Sequence, residues 1–270
     1  MTEHAIDRGR TGRVAAEQRP GRQGWGGLAW RQYRLERKMF WRNPSAAFFN
    51  FLLPLIFLAL FGAIFAEREA DLRVIVPGIA GMAVMSTTFS ALAMNLTFLR
   101  ESGVLKRIHG TPLPTSAYLA GIAGNAVTNT ALQVALITAA GSVVFGLDWP
   151  QDWAALVAFV VVGVVCFAAL GVALSHAIPN FDSAPAYVNA AFLPVIFISG
   201  VFYDAENVPG LLRGIAEALP LKHLIDGLSG AMVTGEGLAD HALALMVLAL
   251  WAAVGSALAV RGFSWDARRR

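Results

Sequence analysis

The chain has 270 residues, with 21 Lys and Arg against 18 Asp and Glu, 5 His and a net charge of +3. It is 56% hydrophobic and only 14% charged, with a mean hydropathy of +0.58, whereas soluble domains run nearer a quarter charged. Every acid and base lies outside six long apolar runs, which excludes an ordinary soluble domain and points to an all-α protein threaded through a bilayer.

Residues 1–24 are rich in Arg and Gly without an apolar period, and read as a disordered cytosolic tail. At 100° per residue, Trp25, Leu28, Ala29, Tyr33, Leu35, Met39 and Phe40 then share one face, and Arg31, Arg34, Lys38 and Arg42 the opposite one. That pattern predicts a basic amphipathic helix over 25–45, lying in the membrane interface and ended by Asn43-Pro44. Glu36 falls inside the apolar arc, where snorkelling or pairing with a neighbouring Arg competes with a functional contact.

The predicted spans follow at 46–65, 74–98, 118–147, 153–178, 184–203 and 241–260, each near or above the ~20 residues a spanning helix needs. Pro54 sits inside the first, and Ser86, Thr87, Thr88, Ser90 and Asn95 inside the second. A basic, proline-punctuated island, 99–117, separates the second from the third. It carries Arg100, Glu101, Lys106 and Arg107. Pro179 to Ser183 is a tight turn. Residues 204–240 are too long for a turn and too polar to span. They hold two short amphipathic patterns, Leu212/Ile215/Ala216/Leu219 and Leu221/Leu224/Ile225/Leu228, predicting an external helix-break-helix that dips into the outer leaflet or lies as a surface hairpin. A basic tail, 261–270, closes the chain.

Lys/Arg asymmetry orients the spans. Before the first span stand ten basic residues against four acids, and the island holds three against one. The loops after the first, third and fifth spans all carry more acid than base. Both termini and the island are thus expected in the cytoplasm. The basic clusters read as topology signals with affinity for anionic lipid, not as a nucleic-acid site. No signal peptide is expected, since the first apolar run begins near Ala46.

Residue chemistry narrows the function. The only lysines are Lys38, Lys106 and Lys222, and none follows a glycine, so no phosphate-binding Gly-Lys-Ser/Thr loop exists. Cys166 is the single cysteine and no paired-ligand metal motif appears; His223 and Asp226 alone make a weak pair. No Asp, Glu, Lys or Arg falls within a span, where ion-coupled transporters keep their coupling group. The energy must come from a partner. Asn125, Asn129 and Gln133 recur at i, i+4, i+8 with Thr128 beside them. This stripe either bonds helices together or lines a substrate path. Ser86 and Ser90 are further path candidates.

Four stretches together resemble the membrane subunit of ABC-2 type transporters, above all the daunorubicin-resistance type of drug-export permease. They are the 25–45 helix running into Arg42-Asn43-Pro44 and Leu53-Pro54-Leu55; Arg100-Glu101-Ser102-Gly103-Val104-Leu105-Lys106-Arg107 with Thr111-Pro112-Leu113; Ser199-Gly200-Val201-Phe202-Tyr203; and Pro209 to Gly227 with Leu219-Pro220-Leu221-Lys222-His223 inside. Asp204 departs from the pattern, where similar chains often carry proline. The resemblance implies a half-transporter in a bacterial plasma membrane. Two permease copies, or this chain and a related one, would form the pore. Two ATPase subunits holding ATP and magnesium would dock below, with no cofactor on this chain. Arg34, Glu36, Arg100, Glu101, Lys106 and Arg107 would contact them, the island acting as coupling helix. The expected cargo is a hydrophobic or amphipathic drug-like molecule; a glycolipid or polysaccharide is the alternative. A six-span membrane enzyme, the rival from another class, would need a nucleophile, acid–base pair or metal site inside the spans, and the sequence offers none.

Overall fold

The computed structural model describes residues 24–65, 68–111, 113–203 and 209–262. The two tails lie outside these residues, apart from Gly24 and the 261–262 pair that closes the last helix, as do Glu67, Pro112 and Asp204. Regular structure among the described residues is helical: α1 (Trp25–Arg42), α2 (Pro44–Ile64), α3 (Glu69–Met85), a π-helical turn (Ser86–Ser90), α4 (Ala91–Glu101), α5 (Val104–His109), α6 (Thr115–Phe145), α7 (Trp153–Ala177), α8 (Ala184–Ile198), α9 (Gly210–Ala218), α10 (Pro220–Ser229), a second π turn (Gly230–Thr234) and α11 (Ala242–Gly262).

Among the described residues, five helices are long and apolar enough to cross a membrane: α2, the continuous α3–π–α4 helix, α6, α7 and α11. The remaining expected segment, 184–203, is not among them. There the helix is only 15 residues, Ala184–Ile198, rising about 22 Å against a hydrocarbon core of ~30 Å. It stops because Gly200 adopts φ 78° and turns the chain, pressing the Val201 backbone onto α3 at Gly78.

The continuous α3–π–α4 helix is the centre of the bundle. Its apolar window is 78% buried, against 22% for α2 and 17% for α11. The outer helices show apolar stripes instead, with Phe49, Leu53, Ile56 and Leu60 on α2 and Leu243, Met246 and Leu250 on α11 all exposed. Apolar faces turned outward are what lipid demands and water forbids. The π turn is a run of hydroxyl residues: Ser86 Oγ donates to Ala83 O at 3.2 Å and Thr88 Oγ1 to Val84 O at 2.6 Å. Such back-bonding loosens the i→i−4 ladder, and π turns often mark functional segments.

The α1 helix, expected as a basic amphipathic helix over 25–45, forms over Trp25–Arg42. It packs lengthwise along the first half of α6 and in the same direction. Trp25 Nε1 donates to Ser116 Oγ at 2.9 Å, Gln32 meets Gly121, and Arg37 reaches Asn129. Its buried seam is the mixed polar one, whereas Trp30, Leu35, Met39 and Trp41 are exposed. In the 204–240 segment the described residues begin at 209 and form two helices broken at Leu219. In α10, Leu221, Leu224 and Leu228 are wholly buried, and the helix is wedged among α3, α7 and α11. Its four leucine and isoleucine positions fall on one face, so burying them against three helices outweighs leaving them on the surface. Only α9 stays outside, with Leu212 and Ile215 about two-fifths exposed.

Candidate functional site

Three places gather the chemistry: the basic island, the α1–α6 seam and two apolar cavities. The island is a rigid corner. Arg100, expected to meet a partner, is 6% exposed. Its guanidinium donates to Ser175 O at 2.9 Å and Ile178 O at 2.6 Å. These carbonyls belong to the last turn of α7, where carbonyls lack intrahelical donors. A cation there also meets the negative end of the helix dipole. Glu101 accepts from the Phe181 backbone N–H at 2.5 Å. The pair thus clamps the turn between α7 and α8. Beyond them Gly103, at φ 70°, opens α5. Leu105 is buried against Leu92, Tyr118 and Ile122, and Lys106 and Arg107 face outward. A short helix with its apolar side nailed to the ends of α4 and α6 and its basic side presented outward is suited to receive a push.

The seam holds the other expected contacts. Arg34 is exposed, whereas Glu36 turns toward α6. Gln32 Nε2 donates to Glu36 Oε1 at 2.7 Å, Tyr33 OH pairs with Thr128 Oγ1 at 3.2 Å, and Arg37 Nη1 donates to Asn129 Oδ1 at 2.5 Å. Burial pushes the Glu36 carboxyl up from 4.5, opposed in part by the Gln32 bond. A carboxyl with a raised native pKa binds its proton more tightly folded than unfolded. Stability therefore falls as pH rises from about 4.5 through the native value. Glu36→Gln is expected to flatten that slope and to leave the chain at least as stable at pH 7. Thermal unfolding of detergent-purified protein between pH 4 and 8 reads this directly, and an unchanged slope would contradict it.

The polar stripe continues upward. Thr87 Oγ1 donates to Gln133 Oε1, and Gln133 Nε2 donates to Asn50 O. Asn129 and Gln133 are 3% and 1% exposed. These two amides join α6 to α1, α2 and the π turn. Asn125 Oδ1 is buried without a hydrogen-bond partner.

Ser86 and Ser90 stand elsewhere, in a groove of about 410 Å³ between α2, the π turn and α8. Phe57, Met82, Met94, Asn189, Phe197 and Phe202 share its wall. Phe61 and Phe202 stack with centroids 4.5 Å apart. Ser90 Oγ is buried without a partner. A second cavity of about 540 Å³ lies on the other side of α8, against α7 and α11, with Phe167, His176 and Trp251 on its wall. Both fall in the ligand-sized range of roughly 300–1,000 Å³. The aromatic wall of the first groove and the partly buried Lys222–Asp226 pair on α10 escaped sequence reasoning. The signal for the second was present: a charged i, i+4 pair in an otherwise apolar helix. Among the described residues no group of three or more His, Cys, Asp or Glu could hold a metal.

A family model described as "ABC-2 type transporter" matches residues 26–233. Curated relatives agree. The "Daunorubicin resistance ABC transporter permease protein DrrB1" of Streptomyces coeruleorubidus is 29% identical over 223 residues, covering 78% of this chain and 76% of that protein. "Nodulation protein J" of Rhizobium leguminosarum bv. viciae is 26% identical over 249 residues, 85% of this chain and 91% of the relative. The "Inner membrane transport permease YadH" of Escherichia coli K12 is 22% identical over 178 residues, 64% and 69% respectively.

Proposed function

From the premise that this chain belongs to the ABC-2 type transporter family, a family of transport permeases, we propose that it is the membrane subunit of an ATP-driven exporter in a bacterial plasma membrane. Both termini face the cytoplasm. Two copies, or one copy and a related chain, form the pore, and two separate ATPase subunits supply ATP hydrolysis with their own nucleotide and magnesium. The single observation that carries the reading is the island. The α5 helix is anchored by Leu105, presents Lys106 and Arg107 outward, and is locked through Arg100 and Glu101 to the turn before α8. A push on α5 therefore reaches α4, α6, α7 and α8 as one body. Exposed Arg34 adds a second contact beside it.

The cargo path runs along the groove with Ser86 and Ser90. Its wall is aromatic and methionine-rich with few polar groups, which suits a hydrophobic or amphipathic small molecule better than a polysaccharide. Similarity to DrrB1 supports a drug-like cargo. Gln133 serves this path from behind, by holding α6 to the π turn and α2, and Asn129 by holding α6 to α1 through Arg37. Residues 184–203 complete a sixth membrane segment, with the short α8 in the inner part of the bilayer.

Purification of the tagged chain from its native membrane in mild detergent tests the assignment. An ATPase subunit at about one per permease is expected. A chain that stays alone after cross-linking in membranes would remove the energy source and overturn the proposal. Lys106→Ala with Arg107→Ala is expected to cut transport at least tenfold while the complex still co-purifies, because both side chains are exposed on α5. Transport within twofold of the parent would exclude α5 as the point of coupling.

A further inference from the structure

The ion pair on α10 stands at an unusual depth. Its Lys222 Nζ lies 2.8 and 2.7 Å from the two Asp226 carboxylate oxygens. The far end of α10 is level with the loop ends of the bundle, where the Ala231 carbonyl accepts from the backbone N–H groups of Gln151 and Asp152. Its near end is level with the middle of the spans. Trp251, midway along α11, donates to Ala218 O at 3.0 Å just before α10 begins. Leu221 and Ile225 meet Gly81, a dozen residues into the α3–α4 span, and Leu224 meets Gly163, ten residues into α7. Ten residues of α10 rise about 15 Å, which matches those offsets and is half of the ~30 Å hydrocarbon thickness. The α9–α10 pair therefore enters from the acidic-loop side, turns at mid-bilayer and returns. Lys222 sits close to its deepest point.

The pair is neither sealed in protein nor suited to lipid. Leu221 and Ile225 face α3, Leu224 and Gly227 face α7, and His223 turns back to Glu217 O. That leaves Lys222, Asp226 and Ser229, at i, i+4 and i+7, on the remaining face. All three are partly exposed. The Lys222 and Asp226 side chains are 18% and 38% exposed. Charges at this depth are tolerated where they face an aqueous cavity or the bundle interior. The groove with Ser86 and Ser90 reaches the same level, because Met82 on its wall is the neighbour of Gly81.

We propose that Lys222, Asp226 and Ser229 line a water-filled vestibule open to the external side, and that the Asp226 carboxylate binds the cationic group of an amphipathic cargo leaving the groove. The more exposed partner is the anion, so the pair presents negative charge. The described residues 209–240 carry four acids against two bases, which extends that field outward. Lys222 holds the carboxylate in place until a cargo cation competes for it. The direction rests on the exporter reading above.

The test uses full-length chain with its native ATPase in intact cells, in a Cys166→Ala background. Single cysteines at Asp226, Ser229, buried Leu224 and exposed Trp149 are treated with a membrane-impermeant maleimide. Labelling of Asp226→Cys and Ser229→Cys at least tenfold faster than Leu224→Cys is expected. Trp149→Cys reports the sidedness. If it labels while Asp226→Cys and Ser229→Cys do not, the vestibule is wrong and the exporter topology stands. If Trp149→Cys labels only in inverted vesicles, the topology fails and takes the vestibule with it. Ethidium, a cationic amphiphile, probes the binding role. Asp226→Asn is expected to slow its efflux at least fivefold without lowering the amount of assembled complex. The exchanged pair, Lys222→Asp with Asp226→Lys, is expected to assemble and remain slow. Parental efflux in the exchanged pair would reduce the ion pair to a structural one and overturn the cargo contact.

Discussion

Arg100→Met is expected to destabilise the chain by about 3–5 kcal/mol, the usual cost of removing one partner from a buried charged interaction. The side chain is 6% exposed and donates to two carbonyls, Ser175 O and Ile178 O. A methionine fills similar volume but donates nothing, so both carbonyls are left buried at the end of α7. Hydrogen bonds to charged groups contribute roughly 1.5–3 kcal/mol each, which gives the same range. Arg100→Lys is expected to recover only part of the loss, since a single ammonium cannot span two acceptors as a planar fork does. The measurement is thermal unfolding of the purified variants in detergent, read beside transport in cells. Transport should fall further than stability alone predicts, because the same bonds tie α4 to the turn before α8. An Arg100→Met protein that melts with the parent would remove the clamp from the account of coupling.

The places where sequence and structure part follow one physical theme. Apolar runs report burial from water, and lipid and protein interior both satisfy them. The runs at 46–65, 74–98, 118–147, 153–178 and 241–260 became long helices with ends shifted by a few residues, since length and hydropathy alone settle a span. The run at 184–203 carries the same signal and stops at Ile198. It ends at the turn made by Gly200, which sets Val201 on Gly78, a contact more than a hundred residues away that no local pattern reports. The Leu221/Leu224/Ile225/Leu228 face was legible as amphipathic, and its partner was not: the period names a buried side without saying whether lipid or α3, α7 and α11 does the burying. In α1 the period named an apolar face, and the contact with α6 uses another. Gln32 is buried and Met39 exposed, because glycines at 121 and 124 let α1 approach α6 closely with polar side chains that bond across the seam. Of the candidate site residues, Ser86 and Ser90 line a groove whose apolar wall the sequence did not report. Arg100 and Glu101 were read as surface charges, because a sequence shows charge and not the carbonyl or amide that meets it.

Gly78→Val is the substitution expected to do most harm. A Cβ at Gly78 would lie 2.0 Å from Val201 O, 2.8 Å from its carbonyl carbon and 3.0 Å from its Cα. All three are backbone atoms, so no rotamer change relieves the overlap. Overpacking a core typically costs 1–3 kcal/mol when side chains can yield, and here about 3 kcal/mol is the lower bound. Gly78→Ala tests the same contact with one carbon. Gly26→Ala is the control: nothing lies within 4 Å of a Cβ there, and alanine in a helix is favoured over glycine by about 1 kcal/mol. Folded, monodisperse yield and melting temperature should fall for both Gly78 variants and hold or rise for Gly26→Ala. Equal behaviour at the two sites would mean that Val201 does not rest on α3 as described. The functional consequence follows from position. With the turn at Gly200 displaced from α3, Phe202 loses its stack on Phe61, the upper rim of the serine-lined groove opens, and the short α8 no longer ends where α9 must turn inward. A variant that folds at reduced temperature is therefore expected to keep its ATPase partner, because the island lies at the opposite end of the bundle, and to lose transport.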